Sequence, residues 1–204
     1  MSTVGHLRGP ALEEEPVTTA LLVIDVQRSF LHRLSWRDEE AAPFRERLLE
    51  LIAGCRARGV PVLHVLHEEP GSGGPFDPAS GHVRTMDWLP PGPDAVFRKR
   101  VHSALVDSGL REWLQARGVT RLVVSGIRTE QCCETTTRHA SDLGFDVTYV
   151  TEATLTFPMT HANGRAYTSA EIRERTELVL EGRFARIATA AQALAALDAA
   201  PAAA

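Results

Sequence analysis

Apolar runs of strand length alternate with helical patterns along most of the chain. Ala20-Leu21-Leu22-Val23-Ile24 is a continuous apolar run, and Asp25 ends it. A run without polar alternation suits a strand covered on both faces, as in a parallel sheet. Val62 to Leu66, Ala95 to Phe97, Arg121 to Val124, Asp146 to Val150 and Ala185 to Ala188 predict five further strands. Between about Glu39 and Arg58, Leu48, Leu49, Leu51, Ile52 and Cys55 recur at helical spacing, with Gly59 as a stop and Pro61 beyond. Leu105 to Arg117, Glu130 to Leu143 and Glu171 to Leu180 predict helices stopped by Gly118, Gly144 and Gly182, and Thr189 to Leu197 predicts a last one.

This alternation predicts an α/β fold, a parallel sheet covered on both faces through right-handed crossovers. In such sheets ligands bind beyond the carboxyl ends of the strands, where the strand order switches. No repeat or linker divides the chain. Residues 1–18 read as a flexible arm, 19–198 as one domain and 199–204 as a frayed tail. Residues 68–93, rich in Gly and Pro, predict a long excursion of the kind that often serves function.

Composition narrows the function classes. The 204 residues suit one domain. A net charge of -4 offers no basic face for phosphate backbones, so no nucleic-acid partner is expected. No apolar run approaches the ~20 residues that span a bilayer, so no membrane partner is expected. The first eighteen residues lack a signal-peptide core, which predicts a cytoplasmic protein. Cys55, Cys132 and Cys133 are too few and odd in number for a disulfide framework.

Reactive groups follow three of the predicted strands: Asp25 after the first, Lys99 after the third and Cys132 at the start of the helix after the fourth. Alone, each has a plain reading as turn residue, surface charge or packing thiol. Together on one sheet edge they can form a nucleophilic site. A helix N-terminus and an ammonium favour the thiolate, a carboxylate can carry the proton, and backbone N–H groups can hold an oxyanion.

Leu22-Val23-Ile24-Asp25-Val26-Gln27 with Phe30, Lys99 four residues before Ser103-Ala104, and Gly126 six residues before Cys132 resemble three motifs of the isochorismatase-like cysteine hydrolases. Glu152-Ala153 resembles a fourth feature, an Asp-Ala pair, and the resemblance covers about residues 19–197. It implies a Rossmann-like three-layer α/β/α sandwich with a six-stranded parallel sheet. It also implies a catalytic triad of Asp25, Lys99 and Cys132, with the Arg128 and Cys132 N–H groups as oxyanion donors. A non-proline cis peptide would map to Ile127–Arg128. His102, Leu105 and Cys133 depart from the family pattern and bear on the pocket wall more than on the triad.

Adjacent helical residues point about 100° apart, so of Cys132 and Cys133 only one faces the strand ends; motif spacing selects Cys132. Cys55 and Cys133 read as packing. His64 and His67, three apart on a strand, face opposite sides and make poor metal ligands. Some relatives, notably nicotinamidases, bind a metal through an Asp-x-His pair, which this chain lacks in that region. No metal and no cofactor are expected. Phe30, Trp36, His67 and His102 are the candidate substrate contacts, and Trp88 a further pocket residue. The resemblance implies cysteine-dependent hydrolysis of a C–N bond in a small amide, lactam, imide or ureido compound, through a thioester. The alternatives are an isochorismatase-type vinyl-ether hydrolase and a non-catalytic binding protein. It also suggests a homo-oligomer, with Leu155 to Met159 as a candidate interface segment.

Overall fold

The computed structural model describes residues 18–199. The strands are β1 (Thr18–Ile24), β2 (Val62–His67), β3 (Ala95–Lys99), β4 (Val119–Ile127), β5 (Asp146–Leu155), β6 (Met159–Thr160), β7 (Ala166–Tyr167) and β8 (Arg186–Ile187). The helices are α1 (Asp38–Ala57), α2 (Leu110–Gln115), α3 (Glu134–Asp142), α4 (Ser169–Leu180) and α5 (Ala190–Asp198). Six strands form one sheet in the order β3-β2-β1-β4-β5-β8, and every pairing in it is parallel. The proposed arm and tail lie outside the described residues except for Thr18, which already belongs to β1, and Ala199.

The period-two geometry of the strands sorts the apolar residues into two cores. Leu21, Val23 and Val123 pack on one face with Phe44, Leu48, Leu51 and Ile52 of α1 and Ala190 and Ala193 of α5. Ala20, Leu22, Ile24, Leu122 and Val124 pack on the other with Leu110 and Leu114 of α2, Ala140 of α3 and Leu180 of α4. Burying a large apolar side chain contributes about 1.5–3 kcal/mol each, so a continuous apolar run in β1 stabilises both layers at once. The result is the Rossmann-like three-layer α/β/α sandwich with a six-stranded parallel sheet.

The chain runs from β1 outward through β2 to β3, then returns to the other side of β1 with β4. The carboxyl ends of β1 and β4 therefore lie side by side at the switch in strand order, where a crevice forms. Gly126 pairs with Ile24 there. A Cβ on Gly126 would lie 2.0 Å from the Ile24 carbonyl oxygen. Any side chain at this position would force β1 and β4 apart just beneath the site.

Several elements differ from the sequence reading. The helix expected from Leu105 to Arg117 is only α2, because Asp107 and Gly109 adopt left-handed backbone conformations that no helix continues through. Lys99 is the last residue of β3, not a residue after it. β4 continues through Ser125 and Gly126 to Ile127, and β5 continues to Leu155 past an irregularity between Val124 and Gly126. The β6–β7 hairpin was not foreseen. Leu155 and Phe157 are buried within the chain, and only Pro158 and Met159 of the proposed interface segment are exposed. That stretch covers the core and has little apolar surface left for a partner.

His64 is buried in β2, and neither ring nitrogen has a hydrogen-bond partner among the described residues. Burial pushes its pKa down to about 4. An unfolded histidine titrates near 6.5, so between these values the unfolded chain binds the extra proton. Stability should fall as the pH drops from about 6.5 to about 4, by up to about 3 kcal/mol from this one group. Urea unfolding against pH should show this acid limb flattened in His64→Leu, whereas an unchanged limb would mean that His64 does not set it.

Candidate active site

Asp25 follows β1 with a positive φ of 53°. This conformation is uncommon outside glycine and is best tolerated by Asp and Asn. The Asp25 N–H donates to the Val65 carbonyl at 2.7 Å, which ties the turn to β2. Lys99, at the end of β3, brings its Nζ to 2.8 Å from Asp25 Oδ2, and both side chains are buried. Nζ also lies 3.3 Å from Cys132 Sγ, 3.2 Å from the Val101 carbonyl oxygen and 3.4 Å from His67 Nδ1. Four acceptors thus surround an ammonium that has three protons. Asp25 Oδ1 is buried without a hydrogen-bond partner among the described residues.

Cys132 sits in a π-helical turn, Thr129–Cys133, that leads into α3. Such turns are rare and frequent at functional sites. The Gln131 and Cys133 N–H groups both donate to the Arg128 carbonyl at 3.2 Å, whereas the Arg128 N–H has no acceptor among the described residues. The Ile127–Arg128 peptide is cis. Tyr149 Oη donates to the Thr129 carbonyl at 2.8 Å, and Thr129 Oγ1 pairs with Thr154 Oγ1 at 2.8 Å, so β5 holds the turn from below. Cys133 is fully buried, facing away from the cavity.

Burial changes the protonation expected from sequence. For Asp25, desolvation raises the pKa, and Lys99 opposes that rise. For Lys99, desolvation works against the charge, yet the attraction of Asp25 prevails and the pKa rises. The Cys132 thiol is pushed up, first by burial and then by the Asp25 carboxylate, and Lys99 offsets only part of this. At neutral pH the buried ion pair Asp25–Lys99 faces a neutral thiol.

A cavity of about 350 Å³ opens over these groups, lined by Asp25, Cys132, Phe30, His67, His102 and Arg128, with Arg33, Ser35, Glu69, Phe76 and Gln131. Its size suits a small ligand. The ring of Phe30 meets Phe76 edge-on at 5.1 Å, and His67 meets Phe76 at 5.7 Å. Phe30, His67 and His102 thus occupy the places proposed for them on the wall. Trp36 does not. It lines a neighbouring hollow with Leu31, Met86 and Trp88. Its ring packs on Phe157 and its Nε1–H donates to Asp38 Oδ1 at 2.8 Å.

Other residues position the site without having been singled out. Gln27, fully buried, clamps the end of β2: its Nε2 donates to the His67 carbonyl at 2.9 Å and its Oε1 accepts from the His67 N–H at 2.7 Å. His67 Nε2 lies 3.4 Å from Glu69 Oε1. Burial and Lys99 lower the His67 pKa, so a neutral ring donates to Glu69 through Nε2 and presents Nδ1 to the ammonium. Beyond Lys99, the Ala104 N–H donates to Thr136 Oγ1 at 2.9 Å and Ser103 Oγ pairs with His139 Nδ1 at 2.8 Å, which docks this segment on α3. The excursion over residues 68–93 is tied back through Met86 N–H to the Val26 carbonyl and Arg28 N–H to the Arg84 carbonyl. No cluster of three or more His, Cys, Asp or Glu able to hold a metal occurs among the described residues. No helix among them is long and apolar enough to cross a membrane.

Residues 19–197 match the Isochorismatase domain family. The isochorismatase family protein YrdC of Bacillus subtilis is 28% identical over 174 residues, covering 85% of this chain and 92% of YrdC. Nicotinamidase 3 of Arabidopsis thaliana is 33% identical over 155 residues, covering 68% of this chain and 73% of that protein. The crystal structure of an isochorismatase-family protein from Chromobacterium violaceum superposes with a TM-score of 0.80 at 29% identity, over 94% of this chain and 99% of the other. With a family match across the whole sheet and its covering helices, the chain belongs to the isochorismatase family.

Proposed function

We propose that the protein is a cysteine-dependent hydrolase that cleaves a C–N bond of a small amide, lactam, imide or ureido compound. The observation that carries this reading is the single ammonium of Lys99 contacting both Asp25 and Cys132 at the floor of a small cavity. The similarity to a nicotinamidase supports the reaction class.

In this mechanism Asp25 takes the thiol proton as Cys132 Sγ attacks the substrate carbonyl carbon. The oxyanion is held by the N–H groups of Arg128 and Cys132. Asp25 then gives the proton to the departing nitrogen, the C–N bond breaks, and a thioester remains on Sγ. Asp25 next removes a proton from water, the hydroxide attacks the thioester, and the acid product leaves as the thiol recovers its proton. Lys99 stays charged throughout, because the carboxylate beside it favours that state. Phe30, His67 and His102 form the wall against the substrate. A vinyl-ether hydrolase would use the acid and leave the thiol idle. The contact of Sγ with Lys99 Nζ favours the thiol route.

Two neighbours act on the thiol with opposite sign. Lys99→Met removes the cation that favours thiolate, so the alkylation rate of Cys132 against pH should shift to higher pH than in wild type. Asp25→Asn removes the charge that disfavours thiolate, so the same profile should shift to lower pH even as turnover is lost. Superimposable profiles for all three proteins would show that neither group tunes the thiol.

Turnover should distinguish the two adjacent cysteines. Cys132→Ala should abolish hydrolysis in a panel of small amides and ureido compounds, read as ammonia or amine release, with unfolding unchanged. Cys133→Ala should retain most activity. Asp25→Asn should reduce the chemical step by about 10²–10⁴-fold, the range for a lost general acid–base. A dead Cys133 variant beside an active Cys132 variant would place the nucleophile one residue later.

A further inference from the structure

Around the cavity, Asp25 Oδ2 is taken by Lys99, Asp25 Oδ1 lies unpaired on the floor, and Glu69 faces His67 Nε2. The side chains of Arg33, Ser35, His102 and Gln131 line the cavity and make no hydrogen bond among the described residues; the last three can donate or accept, whereas Arg33 can only donate. Arg33 stands apart from the other cations here. The Arg128 guanidinium is matched by Glu130 at 3.1 Å and Lys99 by Asp25. Arg33 forms no ion pair among the described residues, and its guanidinium rests on the Phe76 ring, 4.8 Å from the centroid. A cation over an aromatic face is held in place while its N–H edge stays open. The cavity wall thus presents one guanidinium, held on Phe76, whose N–H groups have no acceptor among the described residues.

We propose that Arg33 forms an anion subsite, so that the substrate is an amide or ureido compound bearing a carboxylate-type group. The carboxylate sits on Arg33 at the mouth while the carbonyl to be attacked lies at Cys132. Guanidinium and carboxylate match in planar geometry and can pair through two N–H donors. The 350 Å³ volume limits the substrate to a short molecule that spans mouth and floor. Glu69, the acid on the same wall, accepts from His67 Nε2 at 3.4 Å. This proposal rests on Cys132 being the reactive nucleophile.

Its test needs no knowledge of the natural substrate. Cys132 in the full chain is alkylated with iodoacetate and with iodoacetamide, and with 3-bromopropionate and 3-bromopropionamide, at one pH. In each reaction the thiolate forms an S–C bond, halide leaves, and the adduct is located by mass spectrometry. Both members of a pair need the same thiolate, so the acid-to-amide rate ratio cancels any change in thiol ionisation. Against the ratio for glutathione in the same buffer, the wild-type ratio should be raised about tenfold for at least one pair, as a charge-assisted hydrogen bond gives. Arg33→Gln should return it close to the glutathione value, and Arg33→Lys should keep part of the gain. A ratio equal in wild type and Arg33→Gln overturns the subsite while leaving the nucleophile intact. A Cys132 that no reagent alkylates overturns the nucleophile, and the subsite with it.

Discussion

An ammonium with no exposed surface must be surrounded by acceptors, and here the ends of four strands supply them. Lys99 lies between Asp25 and Cys132 Sγ, with the Val101 carbonyl and His67 Nδ1 completing the shell. Removing either partner of a buried ion pair leaves an uncompensated charge, which costs about 3–5 kcal/mol. The pair is therefore a constraint on the fold and, in the proposed mechanism, the source of the site's chemistry. It requires β1, β2 and β3 to stay in register, and the backbone does so: Leu66 pairs with Arg98 and His67 with Lys99. The Gln27 clamp on His67 secures the same register from β1.

The switch in strand order explains why these groups converge on a cavity. β1 and β4 are neighbours in the sheet yet lie about a hundred residues apart in sequence, as Ile24 paired with Gly126 shows. Their continuing chains turn away from one another, one toward Asp25 and one into the π-helical turn that bears Cys132. Gly126 allows this close approach because it has no Cβ. The apolar layers on both faces of the sheet fix the floor, and the loop carrying Phe76 closes the side. A low-polarity floor strengthens the electrostatic coupling among the three groups and keeps the resting thiol neutral.

Much of this was legible in the sequence, for identifiable reasons. Asp25 ends an unbroken apolar run, and Cys132 follows a glycine at the end of another, so their places at strand ends could be read directly. Lys99 was legible as a cation following the third apolar run, and its spacing to Ser103-Ala104 in the family resemblance strengthened that reading. What escaped depended on contacts between distant residues. Gln27 and His67 are 40 positions apart, and Tyr149 and Thr129 are 20 apart. Neither pairing leaves a local signal. The helix expected from Leu105 shortened because its true periodicity, Leu110 and Leu114, begins only after the left-handed Gly109. Trp36, a candidate substrate contact, packs on Phe157 and bonds Asp38 beside a neighbouring hollow, contacts that no local pattern announces. The neutral state of the thiol follows from burial, a tertiary property that spacing does not encode.

The central claim is that Cys132 becomes covalently acylated with help from Asp25 and Lys99. The most direct measurement is acid quenching during turnover of an amide that the protein hydrolyses, followed by fragmentation of the Cys132-containing peptide. The account predicts the mass of the acyl group on Cys132 and none on Cys133, with conversion to a hydroxamate when hydroxylamine replaces water as the acceptor. Product formation with neither an adduct on Cys132 nor a hydroxamate would contradict it.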